Sequence, residues 1–277
     1  MQRRTFLTGC VASTAAFGFA ANKALSQSSG EGIEIESPMP PLPDDLVALD
    51  GQAAAPFIET TVVGTGKPLA HEITDAYNVL IASPFNCEPI EVAEYFLKLG
   101  QGDFGANLAK YAREWPERAN PVIFHFFSAT RTKPEGDATA WCAAFMNWCH
   151  VRAKAKTIDE IGKSPGFFSQ SGQPFSNDNL LRFSTNSASS GSFRCNTKTD
   201  DPARGDLVVM ANKGTGNMTA SCLGTGHVAF FIAKLPDGKV RMLGGNQGLA
   251  GTNGAVTMGK EAIGPNSRFF SFVQAKG

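Results

Sequence analysis

The sequence predicts an α+β fold, because helical patterns precede short strand-like segments along the chain. Apolar residues recur at helical spacing between Ile73 and about Trp115, and again from Cys142. We therefore expect a helical N-terminal extension, then a helix that packs on an antiparallel sheet. Short β-branched and aromatic runs separated by turn residues predict the strands, at 207–210, 227–233, 240–243 and 269–273.

The helical region divides at proline and glycine positions. Pro89 suits the first turn of a helix, and the glycine-rich stretch 100–105 separates that helix from the next one. Pro121 begins a further short apolar helix. A buried helix follows with Cys142 in its first turn, and Thr139 is its candidate N-cap.

The composition indicates a globular protein without a nucleic-acid partner. The chain has 277 residues, of which 42% are hydrophobic and 18% are charged. Basic and acidic residues number 25 each, whereas nucleic-acid-binding proteins carry a basic excess.

The first 26 residues resemble an export signal and are set aside from the fold. Arg3 and Arg4 precede an uncharged stretch that resembles a twin-arginine signal, with cleavage expected after Ser26. A lipoprotein box ending at Cys10 is the second interpretation, and a membrane anchor is disfavoured because the apolar stretch is short. We therefore expect a periplasmic or secreted protein with no stable membrane insertion after cleavage.

Composition divides the rest of the chain into three parts. Residues 27–72 are rich in serine, glycine and proline and are predicted to be a flexible linker. Residues 73–119 form a predicted helical accessory region, and residues 120–277 form the main domain, with a long surface excursion at 157–200. Cleavage removes three basic residues, no acidic residue and one cysteine, which leaves a net charge of about −3. An odd number of cysteines remains in an oxidising compartment, so at least one thiol stays unpaired within the chain.

Cys142 is the candidate nucleophile. A thiol in the first turn of a helix meets the positive end of the helix dipole, which favours the thiolate. A buried structural cysteine is the alternative, and it is the commoner role of a cysteine in an apolar helix. Cys149 lies about 10 Å further along the same helix, beyond disulfide reach of Cys142.

His227 is the candidate base among four histidines. It opens a predicted strand after a glycine turn, where an imidazole can face the N-terminus of a packed helix. His150 is about 12 Å from Cys142 by helix rise, and His125 and His71 lie in an apolar helix and near the linker. An exposed residue at the start of a strand is the alternative interpretation of His227.

Asn246 is the candidate for the group that orients this imidazole. If the second and third predicted strands pair as a hairpin, Asn246 comes beside His227. A simple glycine-containing turn is the alternative. Trp141 and Gln247 are the candidate substrate-binding residues, and Trp141 is equally well interpreted as a core aromatic residue.

Four ordered motifs resemble the papain-fold cysteine amidases and peptidases of the NlpC-type and CHAP superfamily. The resemblance implies a papain-like fold with Cys142 as nucleophile, His227 as base and Asn246 as the orienting residue. It also implies that the substrate is an amide bond of a peptidoglycan stem peptide or its lactyl link, and that no cofactor takes part. The motifs are Trp-Cys-Ala-Ala-Phe at 141–145, Gly-Asp-Leu-Val at 205–208, Gly-His-Val at 226–228 and Gly-Gly-Asn-Gln at 244–247.

With Cys142 implied to be the nucleophile, the other four cysteines of the mature chain can form two disulfides in three pairings. We expect Cys195 to pair with Cys222, because both lie in loop-rich segments that flank one strand. Cys87 would then pair with Cys149.

The sequence therefore predicts an exported cysteine hydrolase that cleaves amide bonds in peptidoglycan. A non-catalytic envelope-binding protein on the same fold and a cysteine-dependent acyl transferase are the alternatives. A zinc site is disfavoured, since the chain has no Cys-x-x-Cys pair and no His-Glu-x-x-His helix. Phosphate-loop and dinucleotide-binding fingerprints are also absent from the sequence.

Overall fold

A computed structural model shows helices packed on one antiparallel sheet, which confirms the α+β class. The predicted export signal, much of the predicted linker and the centre of the predicted excursion lie outside the residues that the structure describes. Those residues are 33–37, 39–47, 64, 66–136, 139–158, 185, 187–212, 222, 224–248, 254–264 and 266–275.

Proline and glycine set the helix boundaries as predicted. Pro89 and Pro121 each lie in the first turn of a helix. Gly102 ends its helix with φ at 88°, a left-handed conformation that glycine adopts without strain. The α-helices of the described residues are α1 (Ala70–Ala82), α2 (Pro89–Gln101), α3 (Ala106–Ala109), α4 (Pro121–Phe126) and α5 (Cys142–Lys154).

Cys142 lies in the first turn of α5, as predicted, but the helix begins at Cys142 itself and the predicted cap is wrong. Its N-cap residue is Trp141, which provides no side-chain hydrogen bond to the helix. The Thr139 hydroxyl instead accepts hydrogen bonds from the backbone amides of Glu135 and Gly136. Thr139 stands too far before the first helical residue to reach the free amides of the first turn.

The sheet has the strand order β1-β6-β5-β4-β3-β7-β2, and each neighbouring pair is antiparallel. Four of these strands overlap the predicted segments. The other three were not predicted, and in β6 two glycines and two charged residues interrupt the β-branched pattern. The strands are β1 (Glu34–Ile35), β2 (Lys198–Thr199), β3 (Leu207–Ala211), β4 (Gly226–Lys234), β5 (Lys239–Gly248), β6 (Gly254–Ala262) and β7 (Phe269–Val273).

An aromatic cluster joins helices α2, α4 and α5. Phe126 packs edge-on against Phe96 and Phe145, with ring centroids 5.2 and 5.1 Å away, and Trp148 lies 5.4 Å from Phe126. All four rings are buried. Helix α2 comes from the predicted accessory region 73–119, so that region shares its core with α5; the boundary between domains stays a prediction.

Alternation along β4 separates two apolar layers. Val228 and Phe230 belong to the core beneath the helices, whereas Ala229 and Phe231 belong to a smaller cluster on the other face of the sheet. Side chains two residues apart share a face of a strand. His227 therefore lies on the face of Ala229 and not on that of Val228.

The described part of the predicted linker is held against the domain. Strand β1 pairs with β6, and Glu34 and Glu36 both form ion pairs with Lys260, at 3.1 and 3.8 Å. The Leu46 side chain is fully buried. The structure differs here from the predicted flexible linker, because single apolar side chains between polar residues anchor the segment. Isolated apolar residues produce no periodic pattern, so the sequence did not indicate this packing.

The five cysteines that the structure describes divide into one close pair and three thiols. Cys195 and Cys222 lie at disulfide distance with their Cα atoms 5.2 Å apart, which is the pairing that we expected first. Cys87, Cys142 and Cys149 are thiols, so the expected second disulfide is not formed in the structure. No helix among the described residues is long and apolar enough to cross a bilayer.

We predict that acid destabilises the protein through its buried histidines. Burial lowers the pKa of His125 and of His150 from 6.5 to about 4. The folded state therefore binds these protons less readily than the unfolded chain. The resulting stability is complete above pH 6.5 and is lost as the pH falls toward 4.

The variant His150→Gln removes one of these groups. As the pH is lowered from 6.5 to about 4, the unfolding free energy of both proteins, measured by urea denaturation, should decrease. The decrease should be smaller for His150→Gln than for the wild type, by on the order of 3 kcal/mol. The exposed His71 supplies the control, because His71→Gln should leave the slope unchanged. Groups common to both proteins cancel in the comparison, and equal slopes for His150→Gln and the wild type would contradict the prediction.

Candidate active site

Cys142 is the first residue of α5, where the free backbone amides and the positive end of the helix dipole lie. Basic residues in the last turn, Arg152 and Lys154, complement the opposite end of the helix. The Cys142 residue is only 1% exposed. Its position fits a nucleophile, whereas its burial is what the alternative of a structural cysteine predicts.

His227 is the second residue of β4 and is fully buried. Its Nε2 lies 3.3 Å from the Nε2 of Gln247, and its buried Nδ1 makes no hydrogen bond with any described residue. Burial lowers the pKa of His227 to about 3, and the positive charge of Arg268 acts in the same direction. The imidazole is therefore neutral at physiological pH. Its Nε2 contacts the Gln247 amide, whereas its Nδ1 makes no hydrogen bond with a described residue.

The residue before His227 is Gly226, and the neighbouring strand leaves no space for a side chain there. A Cβ at this position would lie 1.9 Å from the carbonyl oxygen of Met210 on the neighbouring strand β3. Met210 is also the residue that pairs with His227 across the two strands. Only glycine therefore lets β4 approach β3 closely enough to fix the position of His227.

Gln247 contacts the imidazole through a side chain that is itself anchored. Its Oε1 accepts a hydrogen bond of 2.9 Å from the hydroxyl of Thr257 on strand β6. A 180° rotation of the Gln247 amide group would place its Oε1 beside the imidazole and its NH2 group beside the Thr257 hydroxyl. This hydroxyl can also accept a hydrogen bond. In that arrangement Gln247 accepts a hydrogen bond from Nε2–H of His227 and leaves a lone pair on Nδ1.

Asn246 lies at an irregular position of β5, where the pairing with β6 shifts register between Gly244 and Gln247. Its φ is 56°, in the left-handed region, and its side chain is buried. A Cβ on Gly254 would lie 2.3 Å from Oδ1 of Asn246, so this side chain packs at the start of β6. The contact with the imidazole described above comes from Gln247, and the orienting role of Asn246 stays a prediction.

Trp141 and Glu114 form a second polar cluster near the start of α5. The indole Nε1 of Trp141 donates a 2.8 Å hydrogen bond to Oε1 of Glu114. Trp141 is fully buried and stacks on Phe126, which favours the interpretation as a core aromatic residue. Sequence reasoning missed Glu114, because a single acidic residue between arginine and tryptophan carries no motif.

Glu114 is a buried carboxylate whose second oxygen is also used. Its Oε2 accepts a 2.8 Å hydrogen bond from the backbone amide of Gly254. Burial raises the pKa of Glu114 to about 7, although the hydrogen bonds from Trp141 and Gly254 act in the opposite direction. This side chain therefore titrates near neutral pH, next to the N-cap residue of α5.

Gly244 and Gly245 let these clusters form on both sides of β5. A Cβ on Gly245 would lie 2.4 Å from Trp141 and 2.9 Å from Phe145, on the helix side. A Cβ on Gly244 would lie 2.8 Å from the amide nitrogen of Gln247, on the side of His227. The Gly-Gly pair of the sequence motif therefore serves two opposite close approaches.

The remaining histidines lie on three helices. His125 and His150 are buried in α4 and α5, and His71 is exposed on α1. Within the described part of the chain, no group of three or more histidine, cysteine or acidic side chains could hold a metal ion.

A cysteine at the start of a helix and a buried histidine on the sheet that packs beneath it are the two residue types on which the cysteine-hydrolase class depends. The comparisons agree: residues 134–246 match the family model of the CHAP domain, which includes Cys142, His227 and Asn246. This confirms the resemblance to the CHAP and NlpC-type superfamily of cysteine amidases and peptidases. The match covers less than half of the chain and excludes Glu114 and Gln247. No curated protein and no solved structure matches the chain.

We predict that Gly245→Ala destabilises the protein, because the rings of Trp141 and Phe145 occupy the space of the added methyl group. Overpacking of this kind costs about 1–3 kcal/mol. Gly264→Ala is the matched control, since a Cβ there meets nothing within 4 Å and its φ is ordinary. Urea unfolding should show a clear loss for Gly245→Ala only, and equal stability of the two variants would contradict the packing described.

Proposed function

We propose that the protein is an exported cysteine hydrolase that cleaves amide bonds in peptidoglycan stem peptides. One observation carries the proposal: in a chain that matches the CHAP family, His227 is held through Nε2 while its Nδ1 makes no hydrogen bond. A base held on one side and open on the other is what a helix-start thiol requires. The residues of the proposed reaction are Cys142, His227 and Gln247.

The first step forms a thioester. Once a movement of the chain brings the imidazole to the thiol, Nδ1 of His227 takes the proton of Cys142 as the sulfur attacks the amide carbonyl carbon. The backbone N–H of Cys142, at the start of α5, donates to the developing oxyanion. His227 then gives this proton to the leaving amine as the C–N bond breaks.

The second step releases the acid. Water attacks the thioester carbonyl while Nδ1 accepts its proton, and the proton returns to the sulfur as the C–S bond breaks. Gln247 keeps the imidazole in the required tautomer by accepting from Nε2–H, and Thr257 holds the Gln247 amide in place. Asn246 would act in this role only if its side chain turned toward the imidazole.

The burial of both reacting groups sets a condition on this mechanism. Cys142 is 1% exposed in the helix layer, whereas His227 is fully buried on the opposite face of the sheet. The approach of a stem peptide and the contact between imidazole and thiol therefore both require the surrounding chain to move. Nδ1 is not hydrogen-bonded to the thiol in the structure, and such contacts often tighten only when substrate binds. The same burial is the observation that favours the second candidate function, a non-catalytic envelope-binding protein.

The localisation is part of the proposal. The basic start and apolar stretch of residues 1–26 support export, and peptidoglycan lies outside the cytoplasmic membrane. The match to the CHAP family supports peptidoglycan as the partner.

The test is digestion of purified peptidoglycan by the mature protein, followed by mass spectrometry of the soluble products. Cys142→Ala and His227→Ala should each reduce product formation by on the order of 10³-fold or more. Cys149→Ala, which removes another thiol of the same helix, should retain activity. The fragment masses name the bond that is cut, and an added amine acceptor distinguishes acyl transfer from hydrolysis.

Activity measurements on two variants at neighbouring positions distinguish which residue, Gln247 or Asn246, orients the imidazole. Gln247→Ala should reduce the rate by about 10- to 100-fold, because the imidazole loses the group that holds it. Asn246→Ala should cost less. A larger loss for Asn246→Ala would return the orienting role to that residue, and full activity of Cys142→Ala would refute the proposed function.

A further inference from the structure

Glu114 joins the start of the nucleophile helix to the start of β6. Its two carboxylate oxygens accept separate hydrogen bonds, one from the Trp141 indole and one from the Gly254 amide, each 2.8 Å long. The backbone amide of Glu114 also donates a 2.9 Å hydrogen bond to the Gly254 carbonyl. The side chain and the backbone of one residue therefore fix both ends of this junction.

Both partners of the carboxylate adjoin proposed site residues. Trp141 is the N-cap of α5, and the next residue is Cys142. Gly254 pairs with Gly248 in the register of β5 and β6, one residue beyond Gln247, and it packs against Asn246. A shift at Glu114 is thus transmitted to the thiol on one side and to the end of β5 on the other.

We infer that Glu114 is a positioning residue of the active site, which holds the start of α5 and the end of β5 in their working register. The inference rests on the proposed function. It also assigns a part in the site to the region before the CHAP match, which begins at residue 134.

A second buried carboxylate, Glu72, differs from Glu114 in its hydrogen-bond partners and in the direction of its pKa shift. Glu72 is fully buried and pairs with Arg118 at 2.7 Å, and this partner helps to hold the pKa of Glu72 below its usual value. The Trp141 indole and the Gly254 amide, which donate to Glu114, are neutral, and burial raises the pKa of Glu114 to about 7. Burying a carboxylate against neutral donors is costly, and here the two donors belong to the elements that carry the site.

The first test compares glutamine variants of the two acids. Glutamine keeps one acceptor oxygen and replaces the other by an NH2 group, so Glu114→Gln cannot accept from both the indole and the amide. On soluble stem-peptide fragments released by a glycosidase, we expect kcat to fall about 10-fold and KM to stay within about twofold. Glu72→Gln is the matched control, and it should lower the unfolding temperature but leave kcat unchanged.

The second test is a double-mutant cycle with Trp141→Phe, which keeps an aromatic ring and removes the indole donor. If Glu114 acts through Trp141, the double variant should lose no more activity than the more damaging single variant. Multiplying losses would overturn this part of the inference.

A third measurement does not depend on turnover. The indole N–H of Trp141, assigned in an ¹H–¹⁵N spectrum by its absence from Trp141→Phe, should shift as Glu114 titrates and should not shift in Glu114→Gln. An indole signal that is the same in wild type and Glu114→Gln would refute the contact. An inactive wild type with the expected titration would refute the proposed function alone. An unchanged kcat in Glu114→Gln, with activity still dependent on Cys142, would refute the positioning role alone.

Discussion

The structure depends on two adjacent glycines of β5, Gly244 and Gly245, which allow side chains to pack closely against the strand backbone from both faces of the sheet. At Gly245 the rings of Trp141 and Phe145 reach the backbone from the helix layer, and at Gly244 the amide of Gln247 does so from the other face. A side chain at either position would push one layer away from the sheet. The thiol, its helix and the imidazole can keep fixed relative positions only because this part of β5 has no side chains.

A consequence is that the polar groups of the site lie in two separate layers. Glu114, Asn246 and Trp141 gather at the start of α5, whereas His227, Gln247 and Thr257 gather on the opposite face. Each layer is hydrogen-bonded within itself, which lowers the cost of its burial. The neutral state of the imidazole follows from this burial and from the nearby charge of Arg268.

Local sequence patterns were sufficient for much of the fold. The α+β class, the position of Cys142 in the first turn of α5 and four strands were predicted because proline, glycine and periodic apolar residues act over short distances. The anchored N-terminal segment and β6 were missed, because their pairing is decided by distant partners and their sequences lack a period. The cap of α5 was wrong for a local reason, since Thr139 satisfies the turn before the helix instead.

The candidate site divides in the same way. Motif residues such as Cys142 and His227 could be found because glycine and small residues around them mark the required geometry. Gln247 could be found, but its contact with the imidazole depends on a register shift in β5 that the residue types do not reveal. Glu114 could not be found, because its role arises from two contacts with residues 27 and 140 positions away.

The short strand β1 has a consequence for how the molecule meets other copies of itself. Without β1, the long strand β6 would form the outer edge of the sheet and expose its backbone amides and carbonyls. Strand β1 has two residues, and the backbone amide of Glu36, just beyond it, also donates to the carbonyl of Met258 on β6. The acidic side chains of Glu34 and Glu36 are paired with basic residues of β5 and β6. An outermost strand this short and this charged is a poor template for a further strand. The segment around β1 thus protects the sheet against edge-to-edge association with other copies of the protein.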